Sequence, residues 1–203
     1  NWQAVSQKPI PDNVDVFVRH FDREGQVSQL HIDSSGASTS QIQVPASDSS
    51  SPESLAEFLR AGIRQFPAQR YLVVISSHGK GAEGVIEDER HHSLMTPSEL
   101  KQALQAGQEA NGGRPLDAVL FDACRMASLE VASQLSGSVG VAIASMDNLD
   151  AAGYDLGQVV FSASTSPDAR QLGHALVSND QLQQMKSCLS LAAIDLDQLG
   201  PLN

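Results

Sequence analysis

The stretch LDAVLFDACRM, residues 116–126, is the most informative part of the chain. Residues 116–121 are apolar apart from one aspartate, a pattern typical of a parallel strand buried on both faces. Asp122, Ala123 and Cys124 follow directly, and a helix is predicted from about Met126 to Leu135. This predicts a cysteine placed between the end of a buried strand and the start of a helix.

A second stretch, YLVVISSHGKG at residues 71–81, has a similar organisation. Its apolar run, residues 71–75, predicts another buried strand, and His78-Gly79 comes shortly after it. Residues just beyond the carboxyl ends of strands line the ligand crevice of an open parallel sheet. If the two strands are neighbours, their ends lie about 5 Å apart, so the side chains of His78 and Cys124 can meet.

The remaining pattern alternates strands with helices. Short strands are predicted at 14–18, at 30–33 and 41–44 as a hairpin, at 139–144 and at 189–196. Helices are predicted after capping boxes at 50–53 and 96–99, and again at 156–163 and 168–187. Residues 1–13 form a polar lead-in, and residues 79–95 a polar, flexible loop. We expect one α/β domain over 1–203, with a largely parallel sheet between helices; a flavodoxin-like sheet is the alternative.

Composition narrows the classes of partner. The 203 residues include 41% hydrophobic ones, enough for a core, and the formal net charge is −11, which argues against nucleic-acid binding. No apolar run approaches the length of a membrane span. No signal peptide is visible in the sequence, which begins at Asn1. Of the two cysteines, Cys188 is expected to serve packing, although a bridge to Cys124 is conceivable.

The predicted placement of Cys124 and His78 suits nucleophilic chemistry. A thiolate is the reactive form of cysteine, and a helix N-terminus or a protonated histidine favours it. Backbone N–H groups near Gly79 and Cys124 are candidates to hold the oxyanion of an acyl intermediate. The adjacent His91-His92, beside acidic residues 87–89, is expected to be a solvated loop rather than a metal site.

The same stretches resemble the clostripain family of the caspase-like clan. The similarity includes YLVVISSHGKG, LDAVLFDACRMASLEVASQL, the loop from 144 to 154, and LSLAAIDL at 189–196. It implies a caspase-like three-layer sandwich and a cysteine endopeptidase that cleaves protein or peptide substrates after a basic residue. By the resemblance, Cys124 is the nucleophile and His78 its acid/base partner in a dyad.

Further expectations come from the resemblance. Asp122 matches the acid of the primary specificity pocket, where Arg is preferred over Lys because a guanidinium forms two parallel hydrogen bonds. Asp147 matches loosely an acidic position of the next loop. Clan members often cut themselves between the His and Cys strands, and Arg90 is the one arginine of the loop 80–95 in that segment.

The resemblance and the sequence also give expectations about location, cofactors and alternative functions. Related proteins are often secreted, so a secreted or periplasmic location is expected. Some use calcium, although dyad chemistry requires no cofactor and no twelve-residue calcium loop is present. The chain departs from the family in two places. The family's first strand ends in Asp-Asn, but no apolar run precedes Asp12-Asn13, and Gly153-Tyr154 stands where Gly-Trp is common. A non-catalytic binding domain and a signalling protease of narrow specificity are the alternatives.

Overall fold

The computed structural model describes Val5 and residues 9–36, 38–44, 48–179 and 190–199, with the backbone alone for 38–44. Strands and helices alternate after an initial run of strands. In chain order the elements are β1 Val16–Phe21, β2 Val27–Ile32, β3 Ser38–Val44, α1 Pro52–Gln65, β4 Leu72–Ser76, β5 Val85–Asp88, β6 Ser93–Met95, α2 Pro97–Ala110, β7 Leu116–Asp122, α3 Leu129–Leu135, β8 Val139–Ser145, α4 Leu156–Thr165, α5 Ala169–Val177 and β9 Leu191–Asp195.

The central sheet has four strands in the order β4-β7-β8-β9, with β9 antiparallel to the others. Successive residues of β7 point to opposite faces, as the pleat requires. Val119 and Phe121 pack in a core with side chains of α1, α2 and α3. Leu120 packs on the other face with side chains of α4 and α5. This confirms the predicted caspase-like three-layer sandwich with a largely parallel sheet.

Helix α2 begins at its predicted capping box, whereas α1 is capped by Ser51 and not by the predicted box of residues 50–53. The Ser51 side chain accepts a hydrogen bond from the Ser54 N–H, and Pro52 occupies the first turn of α1. At α2, Thr96 and Glu99 form a complete capping box, each side chain bonding the other's backbone N–H. These bonds satisfy N–H groups that have no partner within a helix, and so they fix where both helices start.

A separate antiparallel sheet, β1-β2-β3, precedes the sandwich and confirms the predicted hairpin. Phe17 of β1 stacks on Phe58 of α1 with 4.9 Å between ring centroids. Val5 and Ile10 are buried in a cluster with residues of β2. The prediction of a polar lead-in is therefore wrong at these two positions, because their apolar side chains dock onto the small sheet.

The structure corrects two further expectations close to the predicted site. Residues 79–95 do not form a flexible loop: they contain a short 3-10 helix, Gly81–Glu83, and the hairpin β5-β6. The hairpin is anchored because Val85 and Met95 are fully buried. Helix α3 begins at Leu129 rather than near Met126, since Ser128 accepts the Val131 N–H as its cap.

The C-terminal region agrees with prediction only in part. Helix α5 ends at Val177 with Ser178 as its C-cap, so the prediction of a continuous helix to residue 187 is wrong at that point; residues 180–187 lie outside the described residues. Cys188 and Leu189 also lie outside them, whereas β9 confirms the closing strand. In the part of the chain that is described, no helix combines the length and apolar character needed to cross a bilayer.

Candidate active site

The predicted site lies at the carboxyl ends of β4 and β7, which pair in parallel as neighbours. Ser76 is the register partner of Asp122, and the Ser77 N–H donates to the Asp122 carbonyl at 3.2 Å. The two chain segments continue together beyond this pair. The structure therefore brings His78-Gly79 and Cys124 to the same end of the sheet.

Gly79 packs directly on the backbone of Cys124. A Cβ atom at Gly79 would lie 2.3 Å from the Cys124 carbonyl oxygen and 2.9 Å from its nitrogen. Both separations are shorter than any tolerated contact, and a backbone cannot rotate away as a side chain can. Gly79 also forms an antiparallel bridge with Val85, which uses the carbonyl of His78 and the N–H of Lys80. Glycine is thus required here by close approach.

Replacing Gly79 with alanine is expected to separate the two segments and lower peptide hydrolysis by on the order of 100-fold, the scale of a misplacement near 1 Å. Gly36→Ala is the matched control, because Gly36 lies in an exposed turn with nothing within 4 Å of an added Cβ. That control should lose stability through its left-handed backbone but keep its activity. Hydrolysis rates per folded molecule, compared with melting curves, check this. Full activity in Gly79→Ala would contradict it.

Cys124 is a half-buried free thiol. Its sulfur accepts a hydrogen bond from the Leu149 N–H at 3.3 Å. The predicted support from a helix N-terminus is wrong, because four residues lie between Cys124 and the first residue of α3. Arg125, immediately after it, has a left-handed backbone with φ of 58°. The chain turns sharply there instead of entering a helix.

His78 is largely exposed, and the hairpin β5-β6 lies beside it. The His78 carbonyl accepts the Ile86 N–H at 3.1 Å, and Nε2 of its ring lies 3.9 Å from a carboxylate oxygen of Glu89. Lys80 donates to Glu87 at 2.8 Å. That hydrogen bond, with the charges of Lys80 and His78, lowers the pKa of Glu87 despite some opposing desolvation. The imidazole thus lies beside the carboxylate of Glu89.

Asp122 is 6% exposed, and both of its carboxylate oxygens are engaged. One accepts the Ser76 hydroxyl at 2.8 Å, and the other accepts the Tyr154 N–H at 3.0 Å. Gly153 lies so close that a Cβ there would be 2.5 Å from the carboxylate. The carboxylate therefore joins β4, β7 and the loop before α4 at one point beside the nucleophile.

Asp147 lies in the loop after β8 and faces the start of β9. Its carboxylate accepts the Ser190 hydroxyl at 2.8 Å, and its N–H donates to the Ser145 hydroxyl at 3.0 Å. Its carbonyl accepts the Arg125 N–H at 3.1 Å. Asp147 is thus bonded to two other segments, those of Ser190 and Arg125, and to the end of its own strand.

Arg90 is exposed at the turn of the β5-β6 hairpin. Asp88 fixes that turn, since one carboxylate oxygen accepts the N–H groups of Arg90 and His91, both at 3.0 Å. Although burial opposes ionisation, hydrogen bonds from Ser49 and His91 hold the pKa of Asp88 well below its ordinary range. The peptide bond after Arg90 lies inside this hydrogen-bonded turn.

Among the described residues, only Asp48, Asp88 and His91 bring three potential metal ligands together, within 4.8 Å of one another. Calcium takes oxygen ligands, and this group offers an imidazole in place of one. Ser50 and Ser93 already donate to Asp48, and Ser49 to Asp88. The group does not fit calcium, and no catalytic step is derived through a metal.

Several residues around the site were not predicted from the sequence: Leu149, Ser190, Ser76 and Glu89. Each contacts a predicted site residue from a different element, 25 residues away in the case of Leu149 and Cys124. Local periodicity carries no signal for such contacts, because it reports only how one element is buried.

Comparisons with known proteins support the same fold. The chain is similar to a secreted C11 cysteine protease from Bacteroides thetaiotaomicron, "iotapain", with a TM-score of 0.74, 16% identity, and coverage of 95% of this chain and 58% of that one. A structure of a secreted C11 cysteine protease from that organism with an irreversible peptide inhibitor gives a TM-score of 0.71 at 21% identity, covering 85% and 51% of the two chains.

An inactive zymogen C11 protease from Parabacteroides distasonis gives a TM-score of 0.72 at 18% identity, covering 96% of this chain and 55% of that one. The chain thus spans little more than half the length of these solved proteins. No curated protein matches it. The model of the clostripain family, peptidase family C11, matches residues 5–202, and the chain therefore belongs to the clostripain family.

Proposed function

We propose that the chain is a cysteine endopeptidase that cleaves peptide bonds after a basic residue, Arg in preference to Lys. The observation that carries the proposal is the close packing of Gly79 on Cys124. It joins the histidine-bearing and cysteine-bearing segments at the crevice end of the sheet, where ligands of such folds bind. Membership of a cysteine peptidase family agrees with this chemistry.

The proposed reaction uses the two side chains in turn. The Cys124 thiolate attacks the scissile carbonyl carbon, and protonated His78 gives its proton to the leaving amine, which produces an acyl-enzyme. His78 then takes a proton from water as the water attacks the thioester carbonyl, and the Cys124 sulfur leaves as the thiolate, which restores the starting thiolate and protonated His78. The N–H groups of Gly79 and Cys124 hold the oxyanion in both steps, and the Leu149 N–H supports the sulfur anion in the resting enzyme.

Asp122 is the proposed source of basic specificity. A substrate guanidinium approaching the crevice would meet a carboxylate that is withdrawn from water and held by neutral donors, Ser76 and the Tyr154 N–H. A carboxylate has about four acceptor positions, so two hydrogen bonds leave capacity for more. Arg suits such a partner better than Lys because its donors form a planar fork.

The proposed substrates are proteins or peptides, and the proposed location is secreted or periplasmic. The peptide inhibitor bound to one similar protease supports the substrate class, and the description of two similar proteins as secreted supports the location. Nucleic acid is not an expected partner, because the net charge is −11.

The proposal is tested by incubating the protein with tripeptide fluorogenic substrates that differ only in Arg, Lys or Ala before the cut. Hydrolysis in the order Arg, Lys, Ala, and none with Cys124→Ala, is the expected result. If no substrate is hydrolysed faster than by the Cys124→Ala variant, the proposal that the chain is an enzyme is wrong. That result would favour a non-catalytic binding domain. Turnover of one protein but none of the peptides would favour the signalling protease of narrow specificity.

We further propose self-cleavage after Arg90. A peptidase binds its scissile segment in extended form, so the turn fixed by Asp88 must open first. We therefore expect slow cleavage in the wild type, faster cleavage in Asp88→Ala, and none in Cys124→Ala. Mass spectrometry of freshly purified protein measures it. An uncut chain in a fully active preparation would end this idea.

A further inference from the structure

The loop after β8 lies in register along the segment that carries the nucleophile. Alternate residues make the contacts, beginning with the last residue of β8. The Ser145 carbonyl accepts the Ala127 N–H at 3.0 Å, and the Asp147 carbonyl accepts the Arg125 N–H at 3.1 Å. The next alternate residue, Leu149, donates its N–H to the Cys124 sulfur. The position of that donor is therefore set by the two backbone bonds before it.

One side-chain pair fixes this loop from outside. Ser190, just before β9, donates its hydroxyl hydrogen to the Asp147 carboxylate and accepts the Met146 N–H at 3.2 Å. The pair thus links the loop to the antiparallel edge strand, 43 residues away in the chain. The Asp147 carboxylate is held towards Ser190 by this hydrogen bond. The bond occupies one of the carboxylate's acceptor positions, which a substrate cation would otherwise use.

We infer that Asp147 and Ser190 form a positioning pair that holds the Leu149 N–H on the Cys124 sulfur and thereby maintains the reactive thiolate. This inference rests on the proposed function and gives Asp147 a role other than substrate binding. The N–H group takes the place of the helix terminus that the sequence led us to expect, because a hydrogen bond to a charged acceptor stabilises that charge.

Other charged groups lie on the segments around the nucleophile and must stay constant in any test. They are His78 with Glu89 beyond the end of β4, Asp122 at the end of β7, Arg125 next to the nucleophile, and Asp150 in the same loop as Leu149. Variants at Asp147 and Ser190 leave all of these in place. The charge of Asp147 itself can be separated from its hydrogen bond.

The experiment compares three variants by the rate at which iodoacetamide alkylates Cys124, read by mass spectrometry. Ser190→Ala removes the donor and keeps the charge, Asp147→Ala removes the acceptor and the charge, and Asp147→Asn removes the charge but keeps an acceptor for Ser190. At about pH 6.5 we expect Ser190→Ala and Asp147→Ala to react roughly fivefold more slowly, the scale of one lost hydrogen bond. Asp147→Asn should stay within about twofold of wild type.

Two features separate positioning from a general loss of structure. Near pH 10 the thiol is ionised in every variant, so the rates should converge, and the double variant should be no slower than either alanine variant because the pair acts as one unit. Ser190→Thr should restore the wild-type rate. Asp150→Ala is the matched control, since it removes a carboxylate from the same loop that bonds only the Ala152 N–H among the contacts described.

Either of two outcomes would overturn the inference. If Asp147→Asn slows alkylation as much as Asp147→Ala does, the charge and not the contact with Ser190 matters. If Ser190→Ala reacts like wild type at the lower pH, the pair does not position the donor. Alkylation requires no peptide turnover, so the result stands whether or not the peptidase proposal survives.

Discussion

Replacing Cys124 with alanine is expected to abolish peptide hydrolysis while leaving the fold intact. The proposed thiolate has no substitute, since the second cysteine lies 64 residues further along the chain at Cys188. Cys124 is half-buried at the end of a strand, where losing one sulfur atom removes little packing. We expect a fall of at least about 1,000-fold, the scale of losing a nucleophile, with a melting temperature close to wild type.

His78→Ala should have the same outcome for a different reason. Its side chain is 69% exposed, so removal costs little stability, and only the proton transfers are lost. General acid–base catalysis contributes about 100- to 10,000-fold, which sets the expected loss. Iodoacetamide should alkylate Cys124 faster than Cys188 in the wild type. Equal labelling rates, together with full activity in Cys124→Ala, would refute the assignment of the nucleophile.

The strands that precede His78 and Cys124 could be predicted because burial of a strand produces a continuous apolar run in the sequence. The two apolar runs were predicted to be buried strands whose ends meet if the strands are neighbours, and β4 and β7 do pair in parallel. Strand β7 is buried, but β4 is an outer strand of the four-stranded sheet and its Val74 is 37% exposed, so the prediction of a buried strand is wrong for β4. The pattern works for β7 because a strand buried on both faces must be apolar nearly throughout. Placing the histidine and cysteine together required only that ends of parallel strands meet at one edge of the sheet.

The start of α3 was misplaced although the sequence held a signal. Ser128 followed by Leu-Glu-Val is a capping sequence, and it competes with the apolar Met126 and Ala127 for the first turn. These two residues are buried near the end of β8 instead, and the Ala127 N–H donates to the Ser145 carbonyl. Tertiary contacts outweighed the apparent helical periodicity.

The hairpin between β4 and α2 was missed for a related reason. Its polar turn residues dominate the composition, and the buried anchors Val85 and Met95 lie ten residues apart. Contacts such as Ser190 with Asp147 leave no local trace at all, because each partner is an ordinary polar residue in its own surroundings. The supports of the candidate site were therefore beyond reach of a single sequence, although its central residues were not.

Asp122→Asn is expected to lower kcat/KM for Arg substrates. The fall should correspond to about 2–4 kcal/mol of lost transition-state stabilisation, the scale of losing one partner of a buried charge pair. The asparagine carbonyl can still accept the Tyr154 N–H, and its amide can donate to the Ser76 oxygen in place of accepting from it. Both contacts seen in the structure thus survive the substitution. The change removes the charge and leaves the architecture.

The discriminating measurement is the change for Arg, Lys and Ala substrates in wild type and Asp122→Asn. Specificity by charge predicts a large loss for Arg, a loss for Lys, and little change for Ala. Ser76→Ala is the matched control, since it removes one neutral donor from the carboxylate and retains the charge, so its preference for Arg should persist. If Arg, Lys and Ala substrates all fall equally in Asp122→Asn, the carboxylate supports the loop that carries Tyr154. The basic specificity would then have to come from another acid of the neighbouring loop, with Asp150 the first to be tested, since the Asp147 carboxylate is bonded to Ser190.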